Sequence, residues 1–385
     1  MTEPKGISRR DVFLAGGGLA LGAAGGVFGA AALASQNRPA EVVDSDRVTP
    51  YGTHQGGIAR PSTPQGHGLI AVFDAPQLDA SQLAALSAAI TACVVEQDST
   101  VVPDGAGDVT VTVGLGPRLV AAIDPGLPGG VELPPFAGDA VSPDAIGGDL
   151  LLAVYSSNAA VLHPVLARLV DAVGGLTPRW HQQGYRAAGH GTVARNPIGF
   201  KDGIIVPHGE AELAENVWID SGPLAGGTIC VIRRLRLRAT EFSSLPEARQ
   251  ESIIGRHRVD GSPLSGGAPD AAVDLTAKTP EGELVTPARS HARAAHPSFT
   301  GSSLMLRRGY AFANGDITLA DGSVVDDSGL MFICFQNELD TFVKTQQRLD
   351  ELDDLRPFTT ATASATFLIL PGFSAGVPLG ATILR

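Results

Sequence analysis

Apolar positions along this chain fall into short runs of two different periods, and the order of those runs repeats once. Gly68 to Phe73 is a continuous apolar run of strand length, and Ser81 to Val95 spaces its apolar residues as a helix does. Asp108 to Val113 alternates Val and Thr, Asp149 to Tyr155 is a further apolar strand, and Val161 to Val173 reads as an amphipathic helix. A second round follows. Gly227 to Leu237 is strand-like, Pro246 to Gly255 helical, Ser303 to Phe312 and Gly329 to Gln336 strand-like, Leu339 to Leu349 helical, and Thr366 to Leu370 a closing strand. Two α+β halves of similar element order predict a pair of ferredoxin-like units whose antiparallel sheets share one core, a dimeric α+β barrel. No internal sequence repeat accompanies them, so the duplication rests on element order.

The boundaries follow from composition. Val12 to Ala32 is apolar and rich in Gly and Ala, follows Ser8-Arg9-Arg10-Asp11, and ends in Ala32-Leu33-Ala34. This resembles a twin-arginine export signal, with Val12 where that pattern usually carries Phe. Residues 1–34 are therefore expected to be a signal peptide, 35–66 a flexible Pro/Gly-rich lead-in, 67–215 the first half and 216–385 the second. The expected location is periplasmic or extracellular, with no stable membrane anchor after cleavage. At 385 residues, 44% hydrophobic and 18% charged, the chain has enough apolar material for a sizeable core. A net charge of −12 with no basic run argues against nucleic-acid binding. Cys93, Cys230 and Cys334 lie far apart, so neither a CxxC metal pair nor a disulfide framework is present, and Cys230 and Cys334 read as buried apolar residues.

Gly199-Phe200-Lys201-Asp202-Gly203 carries the first chemistry, one acid between two glycines in an apolar stretch. A carboxylate leaving water must be paired, hydrogen-bonded or protonated, which makes it a candidate for moving protons. Flanking glycines admit close backbone approach, so a flat ligand could lie over the loop. Taken by itself the motif is also a plain Asp-Gly turn. Downstream, Arg289-Ser290-His291-Ala292-Arg293-Ala294-Ala295-His296-Pro297 supplies histidines, Leu304 to Tyr310 supplies Arg307 and Arg308 in a strand, and Leu330 to Asn337 leads into a helix.

With these motifs the chain closely resembles the dye-decolorizing peroxidases, haem enzymes with two ferredoxin-like halves. Asn196-Pro197-Ile198, Ile254-Gly255-Arg256, Gly261-Ser262-Pro263-Leu264, Pro134-Pro135-Phe136 and Leu370-Pro371-Gly372 extend the match from about Gly68 onwards. The resemblance implies one haem b per chain and makes His291 the proximal iron ligand, with His296 its rival in the same loop. It makes Asp202 the distal acid and Arg307 the distal arginine, one shuttling a proton and the other stabilising developing charge. Gly199, Phe200 and Gly203 are expected to border the cofactor. Arg293 and Arg308, with Arg233 and Arg234, are candidates for its carboxylates, although Arg308 falls on the opposite strand face and is equally a surface residue. Asp353, then Asp354, is the candidate for holding the imidazole of His291.

The implied reaction is oxidation of dyes, phenolics or similar one-electron donors by hydrogen peroxide. Trp180, Trp218, Tyr185 and Tyr310 are candidate relays for electrons from a bulky donor. The rival reading is an exported haem-binding or iron-supply protein of an iron-uptake system, with partner proteins there, and chlorite-dismutase-like activity is a third. A homo-oligomer is left open. Lys201 has no assigned task.

Overall fold

The computed structural model describes residues 47–384; the expected signal peptide and the start of the lead-in lie outside the described residues. Strands β1 (His67–Asp74), β2 (Thr110–Leu115), β3 (Leu150–Ser156) and β4 (Thr177–Tyr185) belong to the first half, with helices Ala80–Val94 and Leu162–Val173 in the crossovers. A small hairpin of β5 (Ala194–Arg195) and β6 (Lys201–Asp202) follows. The second half supplies β7 (Thr228–Leu237), β8 (Leu306–Arg307), β9 (Tyr310–Thr318), β10 (Val324–Gln336), helix Leu339–Leu352 and β11 (Thr359–Ile369).

The nine-stranded sheet runs β7-β11-β2-β3-β1-β4-β9-β10-β8, and a β7–β10 pairing closes it into a barrel. Within it the first half reads β4-β1-β3-β2 and the second β11-β7-β10-β9, the same ferredoxin-like order twice. The seams between halves are β2–β11, with Leu115 opposite Leu368, and β4–β9, with Tyr185 opposite Ala311. The described residues belong to one compact unit, so the two halves are topological repeats on one sheet.

Strand period 2 sorts the core into two layers. Leu69, Ala71, Phe73, Leu152 and Val154 face Leu83, Leu86, Ile90, Val165 and Leu169 of the two crossover helices. Ile70, Val72, Leu151, Tyr155, Ile232 and Phe367 fill the barrel. That is why β3 is buried at every position and reads as a continuous apolar run. The three cysteines are free and buried; Cys230 lies in the barrel layer and burial raises its thiol.

The flexible lead-in reading fails over residues 47–66. Gln55 donates to the carbonyls of Val113 and Leu370 and its oxygen accepts from Val113 N, all at 2.8 to 2.9 Å, which ties the segment across a barrel seam. Arg308 is the second anchor and is neither a surface residue nor a cofactor contact. It is 1% exposed, donates to Ile58 O at 2.9 Å and Gln65 Oε1 at 2.6 Å, and sits over the Tyr155 ring. Its strand face is opposite to that of Arg307, as alternation requires, but that face looks into the barrel.

Candidate active site

A cavity of about 470 Å³ opens beside the β5–β6 hairpin, β7, β8 and the Leu339–Leu352 helix, with Ile198, Phe200, Leu235, Ile254, Phe332 and Phe342 among its walls. The hairpin exists because Asn196 closes its turn. Asn196 Oδ1 accepts from Phe200 N at 3.0 Å, Asn196 N donates to Phe200 O at 2.8 Å, and Gly199 turns the chain at φ +88°. Phe200, 1% exposed, anchors the loop against Phe242, Ile253 and Ile254. Gly203 has φ +81°, and a Cβ there would stand 2.1 Å from Thr192 O. The close approach that needs this glycine is therefore to the chain's own backbone. Phe200 and Asp202 line the cavity; Gly199 and Gly203 set the loop's shape from behind it.

Asp202 enters from β6 and meets Arg307 from β8. Its Oδ1 accepts from Arg307 Nε at 3.2 Å, from Arg307 Nη2 at 3.1 Å and from Gly203 N at 2.6 Å. Burial pushes this carboxyl up, but the charge and hydrogen bond of Arg307 and the Gly203 amide outweigh it and hold Asp202 below the usual carboxylate range. Oδ2 carries no hydrogen bond among the described residues. Arg307 is itself fixed by Ile205 O at 3.0 Å.

His291 opens the short helix His291–Ala294 directly after Ser290. Its Nδ1 lies 2.7 Å from Asp353 Oδ2, and Asp353, 6% exposed, terminates the Leu339–Leu352 helix and accepts from Leu355 N through Oδ1. Burial lowers the imidazole, while the charge and hydrogen bond of Asp353 more than reverse this and leave it above its ordinary value. Asp354 points elsewhere and pairs with Arg289 and Arg249. His296 also lines the cavity, yet its Nδ1 accepts from Ser298 N at 3.2 Å, and burial and then Arg293 lower its pKa. Asp202 and His291 lie close enough to feel each other's charge.

Arg293 turns away, donating to Leu275 O and lying over the Phe299 ring. Arg234 pairs with Asp327 and stacks on Phe312 in the barrel end. Arg233 does line the cavity, buried and clamped bidentately by Asp139. Arg256, also buried and lining, is a site residue that sequence reading left unassigned; its signal was a cation closing the apolar run Ile253-Ile254. Among the candidate relays, Trp218 is buried on His54 and Tyr310 on Tyr155, Trp180 is half-buried, and Tyr185 is 50% exposed.

The donor set suits haem. The apolar walls match a flat macrocycle, buried or half-buried arginines can meet its carboxylates, and among the described residues His291 Nε2 carries no hydrogen bond while Nδ1 is oriented by a carboxylate. Fold and site together define an α+β-barrel haem protein with a carboxylate and an arginine on one side and a carboxylate-held histidine as well. Comparison with known proteins makes this particular. The family description "Dyp-type peroxidase, C-terminal" matches residues 193–374. The chain is 33% identical over 298 residues to a dye-decolorizing peroxidase of Thermobifida fusca, covering 71% of this chain and 67% of that one. It is 28% identical over 376 residues to a deferrochelatase of Escherichia coli O6:K15:H31, covering 87% and 86%. Among solved structures, the oxyferrous complex of DtpA from Streptomyces lividans superposes with TM-score 0.80 at 30% identity, covering 88% of this chain and 98% of that one. A DyP-type peroxidase from Streptomyces coelicolor gives 0.80 at 31%, covering 88% and 97%. The chain belongs to the dye-decolorizing peroxidase family. It is a haem peroxidase, an oxidoreductase that takes hydrogen peroxide and an electron donor.

Proposed function

We propose that Asp202 and Arg307 carry the peroxide step, that His291 holds the haem iron with Asp353 fixing its ring, and that the donors are dyes, phenolics or similar one-electron reductants. One observation carries this reading: Asp202 spends Oδ1 on Arg307 and Gly203 and keeps Oδ2 free, in the same cavity that His291 lines with a free Nε2. Haem bound there supplies a redox-active iron. Asp202, ionised, takes the proton from one peroxide oxygen at Oδ2 and delivers it to the other as the O–O bond breaks. Arg307 remains cationic and stabilises the charge that develops on the departing oxygen. Asp353 accepts a hydrogen bond from the Nδ1–H of His291, which fixes the tautomer and raises the basicity of Nε2. Arg233 and Arg256, which line the same cavity, are the candidates for the haem carboxylates.

The test is Asp202→Asn in the haem-loaded protein, with the peroxide-driven change in the haem spectrum followed by stopped flow. A loss of about 10²- to 10⁴-fold is the expected outcome, since an amide cannot shuttle the proton. An unchanged rate overturns the role. Recovery of intact iron-free tetrapyrrole, with no peroxide-dependent oxidation of a donor, would instead support the iron-supply reading.

A further inference from the structure

Asp202 and Arg307 meet across a gap that backbone pairing does not bridge. Arg307 stands on β8 in the nine-stranded sheet, and Asp202 on β6 in the separate β5–β6 hairpin. Among the described residues no backbone hydrogen bond joins residues 192–203 to residues 304–311. Arg307 itself reaches Ile205 O, but that bond belongs to the reacting guanidinium. A pair held together only by its reacting groups would shift when a peroxide oxygen competes for them, so the hairpin needs a second tie to the sheet.

Arg186 supplies that tie. It directly follows β4, where Tyr185 pairs with Ala311 of β9, and its backbone N donates to Gly66 O at 2.8 Å, so its own place is set by the barrel wall. Its half-buried side chain then forks. Nη1 donates to Gly309 O at 3.0 Å, just past Arg307 and Arg308, and Nη2 donates to Thr192 O, just ahead of β5. The donors of a guanidinium form a rigid planar fork, so the two carbonyls are held at a set separation. Thr192 passes that position on. Its carbonyl is the atom on which Gly203 packs, 2.1 Å from where a Cβ would stand, and its Oγ1 donates to Gly203 O at 2.8 Å. Gly203 N in turn donates to Asp202 Oδ1 at 2.6 Å. A closed ring of contacts thus runs from Arg186 through Thr192, Gly203, Asp202 and Arg307 to Gly309 and back to Arg186. Burial lowers the pKa of Arg186, and Tyr310 and then Asp202 oppose that, so the two charges of the ring lie within reach of each other.

We propose that Arg186 is a positioning residue for the peroxide step, holding the hairpin that carries Asp202 against the strand that carries Arg307. This rests on the peroxidase reading of that pair. Arg186 and Thr192 stand outside the cavity lining and act only through the residues they hold. Misplacing reacting groups by about 1 Å costs about 10²-fold in rate, so a side chain outside the cavity can govern the step without taking part in it.

The test uses haem-loaded Arg186→Met, Arg186→Lys and Thr192→Val, each made alone and with Asp202→Asn, with the peroxide-driven change in the haem spectrum followed by stopped flow. Arg186→Met should slow this step by about 10- to 100-fold while the haem absorption band stays at its wild-type position. Thr192→Val removes one leg of the ring with Arg186 in place and should slow it by about 3- to 10-fold, which keeps the test open if Arg186→Met does not fold. Arg186→Lys keeps the charge and one donor direction, and should return the rate to within about fivefold of wild type. With Asp202→Asn already present, neither Arg186→Met nor Thr192→Val should cost more than about twofold, because the group being positioned is gone. A residue that merely supports the fold would slow both backgrounds alike. Equal losses with and without Asp202, or full rates in both Arg186→Met and Thr192→Val, overturn the positioning role. An Asp202→Asn protein as fast as the wild type would instead overturn the reading of Asp202 and Arg307 on which it rests.

Discussion

Asp202 is ionised because of its neighbours. Burial alone would push the carboxyl up; Arg307 and the Gly203 amide bring it below the ordinary value near about 3.9. A depressed pKa keeps the proton-accepting form at lower pH, so peroxide cleavage should stay flat well into acid and decline only as pH falls through the lowered value. Arg307→Met removes the opposing charge and lets burial dominate, so the acid limb of the stopped-flow rate should move to higher pH as the rate falls. An acid limb that stays in place would separate Arg307 from the state of Asp202. The two loop histidines divide in the same way. The carboxylate lies at His291 Nδ1, whereas Nδ1 of His296 caps a turn. His291→Ala should abolish the haem absorption band near its wild-type position and His296→Ala should retain it, a difference visible in one spectrum of each purified variant.

At the scale of elements, residues whose task is local were legible and those whose task is to meet a distant segment were not. The apolar strands β1, β3, β7 and the end of β10 show in the pattern because both faces are buried. β4, Thr177–Tyr185, escapes it because Arg179, His181 and Gln183 break the apolar run, and the strand is held by its pairing with β1. The first part of β11, Thr359 to Ala365, is similarly small and polar and owes its extension to β7. Asp202, Arg307 and His291 stand out in ordered motifs and Asp353 in an acidic stretch, but that the four line one cavity depends on strands and helices far apart in sequence. Arg308 was misplaced because alternation gives a face and not what lies beyond it. Its buried guanidinium satisfies Ile58 O and Gln65 Oε1, so Arg308→Met should leave those acceptors unpaired and destabilise the protein by about 3 kcal/mol. Chemical denaturation measures that loss, and limited proteolysis should find new cleavage within residues 47–66. A variant as stable as the wild type would show that the lead-in docks without this anchor.

A buried ionic connection spans strands of the barrel at one end. Arg234 on β7 donates to Gln182 Oε1 on β4, Thr362 Oγ1 on β11 and Asp327 Oδ2 on β10, while Asn314 Nδ2 on β9 donates to the same Asp327 oxygen. Five strands from both halves therefore meet around one ion pair, Arg234 with Asp327, whose carboxylate side chain is 7% exposed. Burial raises the pKa of Asp327, and the hydrogen bonds from Arg234 and Asn314 and the arginine charges outweigh it, so the folded value lies below the unfolded one. Stabilisation from this group is complete above the unfolded value of about 3.9 and is lost as pH falls through the folded value. Asp327→Asn keeps the shape but removes the charge facing Arg234, and should lower stability at neutral pH by about 2 kcal/mol. Because every other carboxylate titrates alike in both proteins, the gap between their denaturation midpoints isolates Asp327. That gap should be constant from pH 7 to about 5 and narrow below about 4. A gap that persists unchanged to pH 3 would mean that the network holds the barrel end by shape and hydrogen bonding alone, with no contribution from the charge.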